Sequence, residues 1–339
     1  MSRRPQLRLG TGDLAKYPFI DEAGSYIRES GFNWEELDRP EISQILPRAV
    51  KRIEAAADGE VFRELDRHEV EITSFLISLI LVRAIGIDSL MKKYALAEAR
   101  RAEEFLVSDI KKSDKDLRLA LLSKIFEDLF HLKISFEPSL KLFAVSIPAY
   151  LGRASHFHEP EWKLVNRPVS KGMVLLDAED AVRIIRTELI GLIADRIRAM
   201  DVSGVSDHVR QVASELRQRF APRFEYKLSP VVDYPPCIKH AVETLGRGEN
   251  LSHAARVMLA TYMLAIGRGT DEIVQLFQNA PDFNEKITRY QVEHLAGARG
   301  SGTKYSVPSC DKLRIEALCF AIPACDGIIN PVQFGRRKS

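Results

Sequence analysis

The chain has 339 residues, more than one hydrophobic core usually supports, so we expect two domains. Its 45% hydrophobic and 28% charged residues exclude a disordered chain, and its formal net charge of +2 permits nucleic-acid binding without requiring it. The first ten residues, MSRRPQLRLG, contain no apolar signal core. We therefore expect a cytoplasmic protein without membrane contact, in a reducing compartment where structural disulfides are rare.

Helical periodicity dominates the first part of the chain. Apolar residues recur at intervals of three and four throughout residues 17–132, as in AVKRIEAAA, EVEITSFLISLILVRAI and DLRLALLSKIFEDLF. This period predicts consecutive α-helices. The run FLISLILVRAIGI at 75–87 contains Arg83 and is too short to span a bilayer, so it is predicted to be a buried helix.

The pattern changes near residue 133. Short stretches rich in Val, Ile and Phe follow, interrupted by proline: KISFEPSLKLFAVSIPAYLG, and then WKLVNRPVS to GMVLL. They predict a small mixed α/β subdomain at about 133–176. Helical periodicity returns at 177–200 and 205–220. The expected fold class is mainly α, with a helical N-terminal region that includes this subdomain and a helical C-terminal domain.

A proline-rich segment separates the two predicted domains. APRFEYKLSPVVDYPP, residues 221–236, holds four prolines and has no helical period. It predicts a linker between an N-terminal domain at 1–220 and a C-terminal domain at 237–339. In the second domain, one helix is predicted to begin at a cap on Asn250 and to end at Gly267. The next is predicted to begin at a cap on Thr270, and a later one to end at Gly297.

All four cysteines lie beyond this linker, at Cys237, Cys310, Cys319 and Cys325. Zinc sites usually take their ligands from close C-x2–4-C pairs, and the sequence has no such pair. An iron–sulfur cluster accepts one thiolate at each corner, so wide and uneven spacing suits it better than zinc. Cys237 also precedes the predicted helix IKHAVETL, whose N-terminal dipole favours a thiolate. Four inert core thiols are the alternative.

Two pairs of residues are candidates for binding nucleic acid. In the helix predicted from Asn250, His253 and Arg256 lie opposite the apolar face, near the N-terminus, where backbone amides and a guanidinium together suit a phosphate. A solvated charged face is the alternative. Tyr290 and His294 are four residues apart in TRYQVEHLAG and share one face of a later helix. A half-buried core position is the alternative for Tyr290.

Residues 234–326 resemble the C-terminal domain of the archaeal and eukaryotic DNA primase large subunit. Four phrases carry the resemblance in the family's order: YPPC, GRGENLSHAARVMLATYMLAIG, DEIVQLFQNAPDFNEKITRYQVEHLAG and GTKYSVPSC. The last two cysteines follow within a short stretch, as in archaeal members. The upstream half resembles archaeal large subunits only in type, as a helical region with a small mixed subdomain.

The resemblance implies a cofactor and binding roles. The four cysteines would ligate a 4Fe–4S cluster. His253 and Arg256 would bind the template and the 5′-triphosphate of the initiating nucleotide, and Tyr290 would contact the template, with His294 and Arg289 as further candidates. Two positions depart from the family pattern: Ser252 stands where a basic residue is common, and Thr288 replaces an aromatic residue found in eukaryotic members.

Three other polar patterns are interpreted as surface features. Asp114 and Asp116 form a D-x-D pair in a charged turn rather than a catalytic carboxylate site. The HFHE run at His156–Glu159 has no partner motif for a metal, and Lys304 is interpreted as a solvated loop lysine.

The resemblance therefore implies a non-catalytic large subunit of DNA primase. It would form a heterodimer with a catalytic small subunit, docked by the N-terminal domain, and would hold template DNA, RNA primer and the initiating nucleoside triphosphate during primer synthesis in replication. The apolar segment Phe143–Tyr150 is a candidate contact for that subunit, although a core position is the preferred interpretation. Two alternatives are an iron–sulfur DNA-repair enzyme and a zinc-stabilised interaction scaffold.

Overall fold

The computed structural model describes residues 9–31, 44–112, 115–130, 134–137, 142–154, 157, 159–224, 234–300 and 302–335. Within these residues the protein is mainly α-helical with one small antiparallel sheet, which confirms the expected fold class. The chain divides into two compact units. The first comprises residues 1–56, 60–83 and 94–210, and the second comprises residues 57–59, 84–93 and 211–339.

The N-terminal half begins with helices that follow the apolar period of the sequence, so the predicted series of helices is confirmed. Asp and Glu occupy the first turns of α2 and α4, where negative charge is favourable at the positive end of the helix dipole. The helices are α1 (Thr11–Lys16), α2 (Asp21–Glu29), α3 (Ile45–Ala57), α4 (His68–Ile85), α5 (Asp88–Lys112) and α6 (Lys115–Phe130).

The predicted buried helix is confirmed in α4. Its residues Ile77, Leu81 and Ile85 have no exposed surface. A helix that is apolar on all sides is stable only where neighbouring elements cover every face. Among the helices that the structure describes, none combines the length and the hydropathy needed to cross a membrane.

A buried charge network joins three helices of the first unit. The Arg52 side chain has no exposed surface and donates from Nε and Nη2 to the two carboxylate oxygens of Glu98, at 3.0 and 2.9 Å. Its Nη1 donates to Oε2 of Glu71 at 3.0 Å. Burial alone would raise the pKa of Glu98, but the charge and hydrogen bonds of Arg52 hold this pKa below its ordinary value. Burial raises the pKa of Glu71, because it outweighs the attraction of Arg52 and Arg48.

A four-stranded antiparallel sheet forms the predicted mixed subdomain. The strands lie in the order β1-β2-β4-β3, and Val145 of β2 stands opposite Val174 of β4. A two-residue turn joins β3 to β4, with φ of 50° at Lys171 and 76° at Gly172, as type I′ hairpin turns require. The strands are β1 (Ser135–Glu137), β2 (Leu142–Ser146), β3 (Val169–Ser170) and β4 (Met173–Leu176).

The helix α7 (Ile147–Ala154) follows β2, and its Tyr150 pairs with Trp162 of a later 3₁₀ turn in the same subdomain. Tyr150 donates its hydroxyl to the carbonyl of Trp162 at 2.7 Å, and the two rings lie parallel, with centroids 6.3 Å apart. The guanidinium of Arg167 lies 4.4 Å from the Trp162 ring centroid, within cation–π range. Phe143 and Tyr150 are both buried, so the core interpretation of this apolar segment is confirmed.

Two long helices, α8 (Ala178–Ala199) and α9 (Asp207–Phe224), follow the sheet and match the predicted periodic segments. The Asp177 carboxylate caps α8 by accepting the amide of Asp180 at 2.7 Å. α9 continues into the first residues of the predicted linker 221–236, of which 225–233 lie outside the described residues. The linker and the domain bounds 1–220 and 237–339 therefore stay predictions.

The second unit packs its C-terminal helices around one apolar core. α11 contacts α10, α12 and α13, and its Met258, Leu259 and Tyr262 are at most 4% exposed. Residues 84–93 belong to this unit, and Lys92 Nζ donates to the carbonyl of Arg247 at 2.6 Å. The helices are α10 (Pro236–Gly246), α11 (His253–Ala265), α12 (Thr270–Leu276), α13 (Glu285–Leu295) and α14 (Cys310–Ile315).

Two predicted helix caps are wrong by one to two residues. α11 is capped by Ser252, whose hydroxyl accepts the amide of Ala255 at 3.2 Å, whereas the side chain of Asn250 accepts a hydrogen bond from Arg256. α12 begins at Thr270, and Gly269 is the cap residue, its amide bonded to the Glu272 carboxylate at 3.0 Å. Asn250 thus has another hydrogen-bond partner than the one its sequence position suggests, and at α12 the Glu272 carboxylate reaches back to the cap amide.

Glu98→Gln is expected to lower the free energy of unfolding of the first unit by about 3–5 kcal/mol, because Arg52 would keep a buried charge without its bidentate partner. The pKa of Glu98 is lowered in the folded state. The contribution of this carboxylate to the free energy of unfolding is therefore present at neutral pH and is lost as the pH falls through that pKa. Urea unfolding followed by circular dichroism measures the change.

Glu71→Gln is the matched control on the same arginine. We expect a smaller loss, because burial already favours the neutral form of Glu71. Equal losses for the two variants would contradict this ordering, in which Glu98 contributes more stability than Glu71.

Candidate functional site

The four cysteines line one cavity of the second unit. Cys237 is the second residue of α10, Cys310 is the first residue of α14, Cys319 follows α14 in an irregular segment, and Cys325 ends a single 3₁₀ turn. All four are free thiols, with Cys237 buried and the other three half-buried. Chain segments separated by more than seventy residues thus bring four sulfurs to one place.

The thiols of this cavity influence each other's ionisation. Burial, followed by the neighbouring sulfurs of Cys310 and Cys319, raises the pKa of Cys237 to about 11. Burial and the sulfurs of Cys319 and Cys325 also raise the pKa of Cys310. The thiolate expected for Cys237 at a helix N-terminus is therefore not favoured by the protein alone, because burial outweighs the backbone hydrogen bonds there. Four thiolates in one cavity need a cation to stabilise them.

The lining of the cysteine cavity can be compared with the donor set of a metal group. Among the described residues, no set of three or more His, Cys, Asp or Glu side chains is arranged to hold one metal ion. Four unpaired thiols around a cavity partly lined by Pro235, Pro236 and Leu313 are the donor set and the apolar surroundings that cubane iron–sulfur clusters use. The residues present therefore fit a 4Fe–4S cluster.

A separate groove of about 300 Å³ lies between α11 and α13. His253, Arg256, Tyr290 and His294, chosen from the sequence as candidates for binding nucleic acid, all line it. The remaining lining residues are mainly apolar or uncharged and include Tyr305 from the loop before α14. A volume of this size is at the lower limit of the roughly 300–1,000 Å³ typical of small-molecule sites.

The guanidinium of Arg256 is held in place by the protein. Its Nη2 donates to both carboxylate oxygens of Asp282, at 2.7 and 2.8 Å, and its Nε donates to the carbonyl of Leu251 at 3.0 Å. Within the described part of the chain, Nη1 makes no hydrogen bond, so two N–H donors are available to a ligand of the groove. Fixing the side chain beforehand reduces the entropy that a ligand must overcome.

Aromatic rings form the α13 side of the groove. Tyr290 is 54% exposed, and its ring lies nearly parallel to that of His294, with centroids 6.4 Å apart. His294 Nε2 lies 3.3 Å from the hydroxyl of Tyr305. The guanidinium of Arg299 lies 5.8 Å from the Tyr290 ring centroid and pairs with Glu293. Exposed flat rings beside cationic groups are the surface on which bases stack.

Gly300 allows the loop after α13 to close on His294. Its φ of +73° is one that side chains rarely adopt, and a Cβ there would lie 2.8 Å from His294 Nδ1. That nitrogen is buried and has no hydrogen-bond partner among the described residues. The loop therefore holds the histidine ring by close packing, and the polar contact of the ring is the one between Nε2 and the Tyr305 hydroxyl.

Other predicted residues lie away from the groove. Arg289 is on α13, where it pairs with Asp271 and with Glu285, and it does not line the groove. Lys304 is exposed in the loop before α14, in agreement with its interpretation as a solvated lysine.

The remaining polar patterns are only partly described. Asp114, His156 and His158 lie outside the described residues, and Asp116 falls in the first turn of α6. Glu159, the last residue of the HFHE run, forms an ion pair with Arg183.

Sequence reasoning missed Asp282, Tyr305 and Arg299. Asp282 is 26 residues from Arg256, and no periodic pattern links the two positions. Tyr305 stands in GTKYSVPSC, three residues after the last glycine of the predicted glycine-rich loop. An aromatic side chain in such a loop could have marked this position as a surface contact. Arg299 lies inside that loop, beyond the helix whose face was analysed.

Comparison with known proteins places the chain in one family. The family model for the C-terminal domain of the eukaryotic and archaeal DNA primase large subunit matches residues 231–325. The DNA primase large subunit PriL of Methanosarcina barkeri is 30% identical over 96% of this chain and 79% of its own length. The proteins of the same name from Methanococcoides burtonii and Haloarcula marismortui are 30% and 29% identical, each over 96% of this chain and 92% of their own length. The chain therefore belongs to the family of archaeal DNA primase large subunits.

Proposed function

We propose that this chain is the non-catalytic subunit of a heterodimeric DNA primase and that its groove holds template DNA and the 5′-triphosphate of the initiating nucleotide or primer. The observation that carries the proposal is the convergence of His253, Arg256, Tyr290 and His294 on one groove. The first two lie on α11 and the last two on α13, so the two pairs are more than thirty positions apart in sequence.

The α11 side of the groove suits a triphosphate. His253 is the first residue of α11, a helix of 13 residues, so the positive end of the helix dipole lies beside it. Arg256 lies one turn later and lines the groove, and its bonds to Asp282 use Nη2, which leaves the two Nη1 donors for a phosphate. Ser252, which replaces a basic residue common in the family, caps the helix and so supports the same amides.

The α13 side suits a nucleobase or the template strand. Tyr290 and Tyr305 are 54% and 45% exposed and carry hydroxyl groups that reach phosphate or base edges. Stacking on such rings contributes about 1–3 kcal/mol per base without regard to sequence. Such stacking would hold a template strand without depending on its sequence.

The chemical contribution of such a groove is positioning. Primer initiation joins two nucleotides on a template, and holding the reacting groups together removes much of the entropic cost of their encounter. Arg256 and His253 would fix the triphosphate end of the first nucleotide, and Tyr290 would fix the template. The catalytic carboxylates would come from the small subunit.

We assign a 4Fe–4S cluster to Cys237, Cys310, Cys319 and Cys325. When bound, it supplies iron–sulfur bonds that tie the start of α10 to the segment after α14. Helices α11, α12 and α13 lie in the sequence between those ends, so the cysteines would hold together the domain that contains the groove. This is a structural role, and it agrees with the apolar surroundings of Cys237.

The first unit is assigned the docking of the catalytic small subunit. Its small subdomain carries the exposed apolar side chains Leu151, Val165 and Val169, which a partner subunit would cover.

Arg256→Ala is expected to weaken binding to a primer–template with a 5′-triphosphate about 10- to 100-fold, the range for a lost hydrogen bond to a charged group. Binding to the same duplex with a 5′-hydroxyl should change much less. Fluorescence anisotropy measures both affinities. The control is Arg268→Ala, because Arg268 pairs with Glu272 and does not line the groove. Equal losses on both duplexes would remove the triphosphate assignment.

The cluster assignment predicts that the chain, purified without oxygen, is brown and contains about four iron and four sulfide per molecule. Cys319→Ser should lower the iron content and the visible absorbance. Stoichiometric zinc with no iron would refute the assignment and would support the zinc-stabilised scaffold.

Primer synthesis should require the small subunit. The chain alone is expected to make no primer from ribonucleotides on single-stranded DNA, and the mixture of both subunits should make it. Gel analysis of labelled products decides this, and primer synthesis by the chain alone would contradict the non-catalytic role.

A further inference from the structure

The segment that carries Cys319 lacks regular secondary structure. Ala317 precedes it with a φ of +55°, and the amide of Leu318 donates to the carbonyl of Leu313 at 2.8 Å. Among the described residues, the backbone groups of residues 319–321 make no hydrogen bond to other backbone groups. Side-chain contacts therefore contribute to fixing this part of the cysteine cavity, and Leu318 and Cys319 pack against the apolar core of the unit.

One side-chain contact ties the segment to α10. The rings of Phe320 and His240 lie 3.9 Å apart between centroids, at an interplanar angle of 29°. His240 stands three residues after Cys237, so it lies about one helical turn along α10 from a cysteine of the cavity. The ring of His240 is exposed, and it does not line the cavity itself.

Phe320 lies at the boundary between the cavity and solvent. It lines the cavity together with all four cysteines, yet 41% of the residue is exposed. The ring therefore covers part of the opening. The stack with His240 joins this ring to α10, and the backbone of residues 319–321 makes no backbone–backbone hydrogen bond within the described residues.

We infer that His240 is a positioning residue that holds Phe320 as an apolar cover over the cysteine cavity. The stack orders the Cys319 segment against α10 and limits the access of water, chelators and small oxidants to the sulfurs. Access controls both the reactivity of thiols and the lifetime of a metal group bound by them. The cover follows from the two rings and the cavity, and its link to a cluster depends on the proposed function.

The test compares wild-type protein with His240→Ala, His240→Phe, Phe320→Ala and Phe320→Leu. The full-length chain is purified without oxygen, and the rate of iron release to a ferrous chelator is followed by absorbance. We expect about two- to tenfold faster iron release from His240→Ala and Phe320→Ala. Losing an aromatic pair of ordinary strength should raise by this factor the fraction of molecules in which Phe320 does not cover the cavity. His240→Phe keeps an aromatic ring on Phe320, so it should release iron at the wild-type rate.

A matched control and a conservative change separate the cover from general loss of structure. His208→Ala removes another exposed histidine from the first turn of a helix, α9, and should release iron at the wild-type rate. Phe320→Leu keeps an apolar side chain and is expected to fall between wild type and Phe320→Ala. If His240→Ala releases iron at the wild-type rate, or His240→Phe releases it as fast as His240→Ala, the inference is wrong.

A second measurement decides the inference even if the chain holds no iron. In that case the cluster assignment fails, and the same variants are treated with N-ethylmaleimide, with labelling of each cysteine peptide quantified by mass spectrometry. The cover predicts faster labelling of Cys319 and Cys237 in His240→Ala than in wild type or His240→Phe. Equal labelling rates in all variants would overturn it.

Discussion

The packing of α11 is the constraint on which the second unit depends. This helix contacts α10, α12 and α13, and its apolar face is the centre of the core. Once that face is buried, the opposite side near the N-terminus must face outward, and His253 and Arg256 lie there beside α13. One amphipathic helix thus sets both the stability of the unit and the position of the candidate binding groups.

The groove combines fixed and open hydrogen-bonding groups. Asp282 and the carbonyl of Leu251 fix the Arg256 guanidinium from two sides, while Nη1 stays available. On the other wall, the glycine-rich loop closes on His294, which contacts the hydroxyl of Tyr305. A site prepared in this way spends little of its binding energy on ordering side chains, which suits a subunit that positions substrates rather than transforming them.

The cysteine cavity and the groove are complementary parts of the second unit. Cys237 stands at the start of α10, and the other three cysteines stand after the loop that closes on α13. A group bound by all four would fasten the two ends of the sequence that contains the groove helices. In the irregular segment around Cys319, residues 319–321 make no backbone–backbone hydrogen bond within the described residues, and the Phe320–His240 ring stack joins this segment to α10.

Periodicity and local chemistry in the sequence determined the helices, the mixed subdomain, the buried α4, and the polar side of α11. The order of four motifs determined the family. These features depend on residues close in sequence or on a pattern that many members share. The tertiary structure alone decided that Arg256 pairs with Asp282, that Arg289 pairs with Asp271 of α12 and does not line the groove, and that burial opposes the Cys237 thiolate. Each of these depends on contacts between segments far apart in the chain, and neither helical period nor residue spacing encodes such contacts.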